Sequence, residues 1–546
     1  MTPTHDLSRR SVLLGGAGLL TAGFLASCAA DGGGAPGPTG TGTATGDPVV
    51  GGELAFAIAN DPASLNPQGG GSGNDARYVT RQLVDSLLSQ DPETGELGPW
   101  LAESWTVSDD ATAFTFTLRE GVTFSDGTPL TSHVVLDTFD DVLVQGAQAN
   151  YAAEHLAGYL GGEAQDDRTF TVRFDTPSIP FLQALTEPIL GPLAPATLAQ
   201  PWDQRVLGVV GTGPFVLESW TKDTSVVLTR REGYAWGPPF ADHGEAYLDR
   251  VTFQIIPEAS VRTGAITSDQ VDVIGGVPPQ DQETLAASGF TIVERPNPGV
   301  VFGITTYPGR PALADLDVRR ALALALDRTL VRDATLNESY AVATNVLSST
   351  TPGWSDQSEH LRHDPQEAAA LLDGAGWRLG DDGVRVKDGE RLHLVLYWVD
   401  NFVANQSSVE LIQAQAREVG IEIELVTGDF GQRQTLLDNG EIDLTWANLS
   451  RADADILRTQ FAYGDDDVNL PADAELNELL ERQRGLTGEE RQAVVDEAVV
   501  RILEEVLYIP VWELTTVLAL PPGVQGLALA ADSRLQTLVG TSVAEA

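Results

Sequence analysis

The fold class is decided by residues 391–426, RLHLVLYWVDNFVANQSSVELIQAQAREVGIEIELV. The first eight and the last six of these residues alternate apolar and polar side chains, as half-buried strands do. Between them, apolar residues recur at helical spacing from Asn405 to Val419, and Gly420 ends the pattern. A strand, a helix and a strand in this order predict a right-handed parallel crossover. This stretch therefore indicates an α/β fold.

The same pattern continues toward the C-terminus. Residues 430–438 have the periodicity of a helix, and residues 441–449, EIDLTWANL, have that of a strand. A further helix is predicted over residues 488–506. Upstream, Asp364-Pro365 places a capping residue before a proline at the first helical position, which predicts a helix start. The region from about 297 to 510 is thus predicted as one α/β lobe.

The first half of the chain also mixes short strands and helices. Residues 53–59 are predicted as a strand, and residues 75–91 carry apolar side chains at the spacing of an amphipathic helix. Over residues 114–118, apolar side chains alternate with threonines, which is the pattern of a strand with one buried face. Thr131 or Ser132 is predicted to cap the helix that follows.

The composition is globular but strongly acidic. The 546 residues include 78 Asp and Glu against 33 Lys and Arg, a formal net charge of −45 at pH 7. A polyanion of this size is repelled by nucleic acid and by anionic membrane surfaces, so neither is expected as an electrostatic partner.

The N-terminus has the features of an export signal. Arg9-Arg10 precedes an uncharged run that extends to Ser27 and is too short to span a bilayer, which needs about 20 apolar residues. Residues 8–13 resemble a twin-arginine export motif, with the general export route as the alternative. Residues 25–28, Leu-Ala-Ser-Cys, resemble a bacterial lipobox. The resemblance implies lipidation of Cys28; the alternative is a secreted protein with a chance cysteine.

Cys28 is the only cysteine in the chain. One thiol excludes an intrachain disulfide and a cysteine metal site. The segment that follows it, through residue 48, is rich in Gly, Thr and Pro, and we expect a flexible tether.

Several segments together resemble one protein family. Residues 101–130, LAESWTVSDDATAFTFTLREGVTFSDGTPL, are similar to the signature of solute-binding family 5, the peptide/nickel/oligosaccharide class of ABC-transporter substrate-binding lipoproteins. Four further segments resemble the family in the same order along the chain: DPASLNP (61–67), GTGPFVLESW (211–220), DVRRALALALDR (317–328) and DPQEAAALLDGAGW (364–377).

The resemblance implies a two-lobed periplasmic-binding-protein-like α/β fold with a hinge and an interlobe ligand cleft. The first lobe is then large, discontinuous and built on a mixed sheet. The expected divisions of the chain are a signal peptide (1–27), a tether (28–48), lobe I (49–296), lobe II (297–513) and a return to lobe I (514–546).

Candidate ligand contacts are aromatic and polar residues at strand ends and in loops, because clefts combine aromatic walls with a few polar groups. At the ends of lobe II strands we expect Trp398, Trp446 and Asn448, although each tryptophan equally fits a core position. The loop candidates are Asn66, Tyr307 and Asn405.

A departure from the family concerns peptide recognition. Oligopeptide binders of the family typically place an Asp after the strand that carries Trp446, to pair with the peptide ammonium group. Here the segment reads TWANLSRADADIL, residues 445–457. Asp453 is a candidate for that role, and Arg451 is a candidate for a bidentate contact to a carboxylate.

No motif supports catalysis. The chain has no Gly-x-Ser-x-Gly elbow and no phosphate loop. His360 and His363 have no further ligand nearby in sequence, and Asp465-Asp466-Asp467 lacks the spacing of a calcium loop. We expect no cofactor, no metal and no enzymatic activity.

The sequence therefore predicts a monomeric, extracytoplasmic substrate-binding lipoprotein of an ABC importer, held at the cell membrane only by its lipid anchor. Its expected partners are the permease subunits and a small-molecule or peptide ligand, with a peptide as the first expectation and an oligosaccharide or another small solute behind it. The alternatives are an exported lipoprotein enzyme, such as a hydrolase, or a receptor on the same scaffold without a transport function.

Overall fold

A computed structural model describes residues 48–69, 73–241, 244–462, 469 and 473–544. The expected signal peptide, Cys28 and the expected tether except Pro48 lie outside the described residues, and so does Asp465-Asp466-Asp467. Among the described residues, no helix is long and apolar enough to cross a membrane.

The strands of the described residues, in chain order, are β1 (Glu53–Ile58), β2 (Leu88–Gln90), β3 (Leu97–Pro99), β4 (Ala102–Val107), β5 (Ala113–Leu118), β6 (Tyr159–Ala164), β7 (Thr169–Phe174), β8 (Phe215–Thr221), β9 (Ser225–Arg230), β10 (Arg250–Ile255), β11 (Val273–Gly275), β12 (Thr291–Pro296), β13 (Gly299–Thr306), β14 (Arg378–Leu379), β15 (Arg385–Lys387), β16 (Glu390–Arg391), β17 (His393–Trp398), β18 (Glu422–Thr427), β19 (Leu444–Ser450), β20 (Tyr508–Trp512), β21 (Thr515–Leu520), β22 (Val524–Gln525) and β23 (Ser542–Val543).

The α-helices are α1 (Asn74–Leu83), α2 (Ser132–Gln145), α3 (Asn150–Glu154), α4 (Pro180–Ala184), α5 (Pro195–Leu198), α6 (Trp202–Arg205), α7 (Ala259–Thr267), α8 (Pro279–Ala287), α9 (Leu316–Ala325), α10 (Arg328–Thr335), α11 (Pro365–Gly374), α12 (Asn405–Glu418), α13 (Phe430–Asp438), α14 (Ile456–Phe461), α15 (Ala474–Arg482) and α16 (Gly488–Glu504). Short 3-10 helices cover Pro67–Gly69, Gly146–Ala149, Pro188–Leu190, Ser358–His360, Gln483–Gly485 and Leu538–Gly540.

A mixed seven-stranded sheet has the order β12-β21-β11-β1-β10-β9-β8. Its central strand β1 pairs in parallel with β10 and β11, and the outer pairs are antiparallel. Leu54, Phe56 and Ile58 pack into one core cluster, while Ala57 packs into another, so both faces of β1 are covered. After the exposed Glu53 the strand is entirely apolar, as burial on both sides requires.

A second, five-stranded sheet has the order β18-β17-β19-β13-β20. Strand β17 pairs in parallel with β18 and β19, whereas β13 runs antiparallel to β19 and β20. Along β19, Leu444 and Trp446 enter one core cluster, and Thr445 and Ala447 line a cavity on the opposite face. The parallel crossover predicted from residues 391–426 is therefore present as β17-α12-β18.

A third sheet, β4-β5-β7-β6, is antiparallel and lies in the chain between β1 and β8. Its buried face presents Phe114 and Phe116 from β5 and Phe170 from β7, which pack with Phe181 of α4. The predicted alternation over residues 114–118 is confirmed, because these phenylalanines are buried and the threonines between them are half-buried.

The chain passes twice between the seven-stranded and the five-stranded sheet. Strand β12 leads into β13 through Asn297-Pro298, and β20 leads into β21 through Glu513-Leu514. The Asn297 amide donates to the Leu514 carbonyl at 2.6 Å, so the two crossings lie side by side. Below, lobe I denotes the chain that contains the seven-stranded sheet, and lobe II the chain that contains the five-stranded sheet.

Most predicted elements are present, with two corrections. Thr131 is the N-cap residue of α2, but neither it nor Ser132 makes the predicted side-chain capping hydrogen bond. The second correction concerns α1. Residues 75–91 do not form one helix: α1 ends at Leu83, and Leu88–Gln90 is a strand paired with β3. The amide of Gly213 donates to the Leu83 carbonyl at 3.0 Å. A distant loop thus binds the carbonyl that would extend the helix, and the local apolar spacing is overridden.

Candidate ligand-binding site

Trp398 at the carboxyl end of β17, Trp446 within β19 and Asn405 at the start of α12 lie close together. Trp398 of β17 and Trp446 of β19 are register partners. Trp446 Nε1 donates to Asn405 Oδ1 at 3.0 Å, and Asn405 Nδ2 donates to the Val399 carbonyl at 3.0 Å. Asn405 therefore ties the loop after β17 to Trp446 of β19.

Both tryptophans are buried in one hydrophobic core cluster, and Trp446 belongs to its aromatic part. The ring of Phe302 lies 5.5 Å from that of Trp446 and 4.3 Å from that of Trp512. Phe402 and Tyr340 extend the cluster on the side of the β17 loop. Trp398 and Trp446 are buried as members of this core, so in this arrangement their rings support the sheet.

Asn448 and Tyr307 lie elsewhere, along a cavity of about 370 Å³ in lobe II. The Tyr307 hydroxyl and Thr445 Oγ1 are 3.1 Å apart. The lining comes from β13, β19, β20 and helices α13 and α14, together with Asn469. The predicted site residues are thus divided between this cavity, the aromatic cluster and the interface between the lobes.

Asp453 is held by an arginine of its own lobe. Its Oδ1 lies 2.5 Å from Arg491 Nη2, and the same oxygen accepts the Asp455 amide at 2.7 Å. Burial raises the pKa of Asp453, but the charge and hydrogen bonds of Arg491 outweigh it and hold the pKa below its usual value. The carboxylate is therefore ionised and already paired.

Arg451 follows β19 directly and is 5% exposed. Its amide donates to the Pro298 carbonyl at 3.1 Å, which attaches it to the first crossing. Its Nη1 donates to Thr459 Oγ1 at 3.2 Å and lies 3.6 Å from Asp455 Oδ2. Its buried Nε has no hydrogen-bond partner among the described residues.

Lobe I faces Arg451 with polar residues that the sequence analysis did not select. Arg77 of α1 pairs with Glu187 at 2.7 Å, and the other Glu187 oxygen, Oε1, is buried without a partner in the described chain. His155 has a buried Nε2 that also lacks a described partner. Burial, followed by the charge of Arg451, lowers the pKa of His155 to about 3, so this imidazole is neutral at neutral pH.

Asn66 belongs to the same polar region. It is 1% exposed, its Oδ1 accepts the Gln68 amide at 3.2 Å, and its Nδ2 has no partner among the described residues. The side-chain amide of Gln68 is likewise buried and unpartnered there. Asn66 and Arg77 line one small cavity together.

Three small cavities surround this polar region. Glu187 lines one of about 30 Å³, His155 and Arg451 line one of about 20 Å³, and Asn66 and Arg77 line one of about 10 Å³. Each volume holds at most a few water molecules. Buried polar groups without partners are rare in folded proteins, and those of Asn66, Gln68, His155, Glu187 and Arg451 lie together in this region.

The lobes touch on either side of these cavities. Gln90 Nε2 of lobe I donates to the Ala452 carbonyl of lobe II at 3.1 Å, and the Ile179 amide of lobe I donates to the Arg484 carbonyl at 2.8 Å. The cavity that contains His155 and Arg451 is lined from both lobes. The polar region is therefore interlobe.

Comparison with known proteins gives the family. Residues 96–465 match the model described as bacterial extracellular solute-binding proteins, family 5 Middle. The chain belongs to this family. Family 5 proteins are extracytoplasmic, bind small molecules or peptides, work with ABC permeases and are not enzymes.

Individual relatives show the range of named ligands. The chain is 27% identical over 368 residues to the nickel-binding periplasmic protein of Escherichia coli (strain K12). The aligned region covers 65% of this chain and 68% of the relative. It is 26% identical over 436 residues to the dipeptide-binding protein of the same organism. Here the aligned region covers 72% of this chain and 78% of the relative.

A solved structure shows the architecture. The structure of AgaA from A. tumefaciens R10 in complex with agropinic acid matches with a TM-score of 0.75 and 25% sequence identity, over 91% of this chain and 99% of that chain. The two-lobed periplasmic-binding-protein fold expected from the sequence is confirmed.

The missed residues carried only a weak signal. Glu187 is the single charged residue of the apolar run 181–194, FLQALTEPILGPLA, and an isolated charge in such a run suggests a buried pair. Its partner Arg77 and the facing Arg451 are 110 and 264 positions away, so no local pattern connects them. Among the described residues, no group of three or more His, Cys, Asp or Glu side chains is placed to hold a metal ion.

Proposed function

We propose that this protein is the substrate-binding lipoprotein of an ABC importer and captures a small solute between its lobes for delivery to the permease. The observation that carries the proposal is the interlobe polar region, where buried donors and acceptors of both lobes lack partners. Two adjacent chain crossings supply the hinge about which such lobes open and close.

The proposed lobe boundaries are residues 49–296 with 514–546 for lobe I, and 297–513 for lobe II. Sheet membership supports them, because β12 and β21 pair with each other in the seven-stranded sheet while β13 and β20 pair in the five-stranded sheet. Residues 1–27 are proposed as the signal and 28–48 as the tether.

A short peptide is the first candidate ligand. The similarity to a dipeptide-binding protein supports it, and the similarity to AgaA, which binds agropinic acid, supports a small organic acid as the next candidate. Trp398, Trp446, Asn448, Asp453, Arg451, Asn66, Tyr307 and Asn405 remain the proposed ligand contacts.

Lipid anchoring at Cys28 is tested in cells by labelling with a fatty-acid analogue. We expect label in the wild type and none in Cys28→Ala, with the variant released from the membrane. If the variant still incorporated the label, lipidation at Cys28 would be rejected. The proposed binding function would not be affected by this result.

The ligand is sought by native mass spectrometry of residues 29–546 purified without unfolding. A ladder of bound masses spaced like amino acids identifies a peptide receptor, and one discrete mass identifies a specific solute. The same spectrum tests the expected monomer. One result would overturn the receptor function. The purified protein would carry no ligand and show no thermal shift with any compound of a broad metabolite panel, and yet it would consume one of these compounds.

A further inference from the structure

His155 lies between the lobes with a buried ring nitrogen. It follows α3 in lobe I and lines a cavity of about 20 Å³ together with Arg451, Arg458 and Arg484 of lobe II. Its Nε2 is buried and has no hydrogen-bond partner among the described residues. On its own lobe, the ring packs edge-on against Tyr151, with 5.2 Å between the ring centroids. The contact with lobe II therefore shields this nitrogen from water, and separation of the lobes exposes it.

The two lobes together place a balanced set of charges around His155. The cations are all arginines, and each acid except one is in an ion pair with one of them. The pairs are Arg458 with Asp455, Arg491 with Asp453, Arg484 with Glu481 and Arg77 with Glu187, and Arg451 lies 3.6 Å from Asp455. The remaining acid, Glu154, precedes His155 in the chain, lines the same cavity and is exposed. Since the positive and negative charges are equal in number, a proton on His155 makes this region positively charged.

A protonated His155 has no acid to bind while the lobes are in contact. In the described chain, the histidines that form ion pairs with carboxylates are His360, His363 and His393. Burial lowers the pKa of His155 to about 3, and the charge of Arg451 acts in the same direction. Glu187 and Asp453 oppose this shift without outweighing it. Lobes in contact therefore hold the neutral form of the ring, because an unpaired charge is costly to bury.

We propose that His155 makes lobe closure depend on pH: its neutral ring allows the lobes to close at neutral pH, and its protonation at mildly acidic pH separates them. The proposal rests on the proposed closure of the lobes and adds a means of regulating it. Such a receptor holds its solute at neutral pH and releases it where the medium outside the membrane is acidic.

The direction of the effect follows from proton linkage. When the lobes separate, the imidazole contacts water and its pKa returns toward the ordinary value of 6.5, from about 3 in the closed state. Between these two values only the open state binds the proton. The preference for closure is therefore fully present above the ordinary pKa and is lost as the pH falls below it. From pH 7.5 to pH 5 the equilibrium constant for closure should fall by up to roughly 30-fold.

Small-angle scattering of residues 29–546 at pH 7.5 and pH 5 tests the switch. His155→Gln keeps this position neutral at both pH values, and His155→Arg charges it at both. His133→Gln is the matched control, because His133 is an exposed histidine of α2 in the same lobe. The oxidised variant Pro177→Cys/Gly485→Cys, whose disulfide joins the lobes at a close contact, is the locked protein and supplies the radius of gyration of the closed state.

We expect the radius of gyration of the wild type and of His133→Gln to rise from pH 7.5 to pH 5. His155→Gln should stay compact at both pH values, and His155→Arg should be expanded at both. The switch would be overturned if the wild type did not respond to pH, or if His155→Gln responded as the wild type does. Hinge closure would survive either result as long as the locked protein is more compact than the reduced one. Equal values for the locked protein and all the others would overturn both.

NMR of protein with labelled histidines supplies a second readout, which reports on the imidazole itself. The His155 resonance is assigned by its absence from His155→Gln. It should not titrate between pH 7.5 and pH 5 in the locked protein, and it should titrate near pH 6.5 after reduction with dithiothreitol. Titration near pH 6.5 in the locked protein would show that the closed lobes accept the charge, and the switch would be overturned.

Discussion

Asp85 is a buried carboxylate whose environment sets its protonation near neutral pH. Its oxygens accept from Trp236 Nε1 at 3.0 Å and from the Tyr234 hydroxyl at 3.3 Å. Burial raises the pKa of Asp85 to about 6, although the charge of Arg81 and the hydrogen bonds from Trp236 and Thr212 oppose the shift. The residue therefore binds a proton in the native state at a pH where the unfolded chain does not.

This difference predicts how Asp85→Asn depends on pH. Between a native pKa of about 6 and the ordinary value of 3.8, only the native state holds the proton, so the wild type gains stability as the pH falls through this range. The variant lacks this gain. We expect the stability of the wild type relative to Asp85→Asn to rise by up to about 3 kcal/mol between pH 7.5 and pH 4, measured by urea unfolding.

Asp109→Asn is the matched control, since Asp109 is exposed. Its pH profile should follow that of the wild type much more closely. Parallel profiles for the wild type and Asp85→Asn would show that Asp85 titrates as an ordinary carboxyl.

Glu513 is a second buried carboxylate, and it lies in a crossing between the lobes. It accepts hydrogen bonds from Ser348 Oγ at 2.9 Å, Ser349 Oγ at 2.8 Å and the Ser349 amide at 3.1 Å. Burial raises its pKa, and the serine hydrogen bonds oppose the change. Glu513 forms no ion pair among the described residues, so its contribution to the fold is to accept these hydrogen bonds.

We expect Glu513→Ala to lower the free energy of unfolding by about 1–3 kcal/mol, because it leaves three donors without an acceptor. Glu513→Gln keeps one carbonyl acceptor at nearly the same volume, so its loss should be clearly smaller. Chemical denaturation of both variants measures the difference. Equal losses would show that the acceptor role of Glu513 does not account for its contribution to stability.

At the scale of elements, the sequence correctly predicts those helices and strands whose bounds are set by the local pattern of apolar residues. Helix α12 begins at the predicted Asn405 and buries its apolar positions Val409, Ile412 and Ala416. Helix α13 spans the predicted residues although only Leu437 is buried in it, and a capping box of Asp429 and Gln432 fixes its start. Helix α1 was predicted too long because Gly213, far along the chain, binds the carbonyl that would continue it. Tertiary hydrogen bonds of this kind leave no local pattern.

The candidate site divides in the same way. Trp398 and Trp446 are predicted at the ends of lobe II strands; Trp398 ends β17, whereas its register partner Trp446 is the third residue of β19. The facing residues Arg77, His155 and Glu187 come from three separate segments of lobe I, and only the folded chain brings them near Arg451. Whether one of these residues can contact a ligand depends on which distant residues the fold places beside it. Composition and periodicity do not contain this information.

Gly299 begins β13 just after the first crossing, and its backbone leaves no room for a side chain. Its φ is +111°, and an added Cβ would lie 2.2 Å from the Leu449 carbonyl oxygen and 2.7 Å from the Arg451 amide. Gly299→Ala must therefore displace the segment that carries Arg451. We expect a lower melting temperature and weaker ligand binding in this variant.

Gly264→Ala is the control, because an added Cβ at this position in α7 has nothing within 4 Å. It should leave both quantities close to their wild-type values. A Gly299→Ala protein with wild-type binding would show that Arg451 tolerates a shift of its backbone.

At the scale of the molecule, the proposed hinge closure requires the contact between the lobes to open before a ligand enters and to form again afterwards. Pro177 of lobe I and Gly485 of lobe II approach closely: a Cβ added to Gly485 would lie 3.2 Å from the Pro177 Cβ. This is just below the range of about 3.5–4.5 Å in disulfides. The only natural cysteine, Cys28, is absent from residues 29–546, so an engineered pair meets no competing thiol.

We expect Pro177→Cys/Gly485→Cys to form a disulfide that holds the lobes together. If the ligand-free wild type opens about its two crossings, its radius of gyration in small-angle scattering should exceed that of the oxidised variant, and dithiothreitol should restore the wild-type value. The two single-cysteine variants control for the substitutions and should match the wild type. The contrary result would be an oxidised variant that has the same radius of gyration and the same rate of ligand exchange as the reduced one. It would show that the lobes do not separate at this edge, and hinge closure would then be rejected as the route of ligand capture.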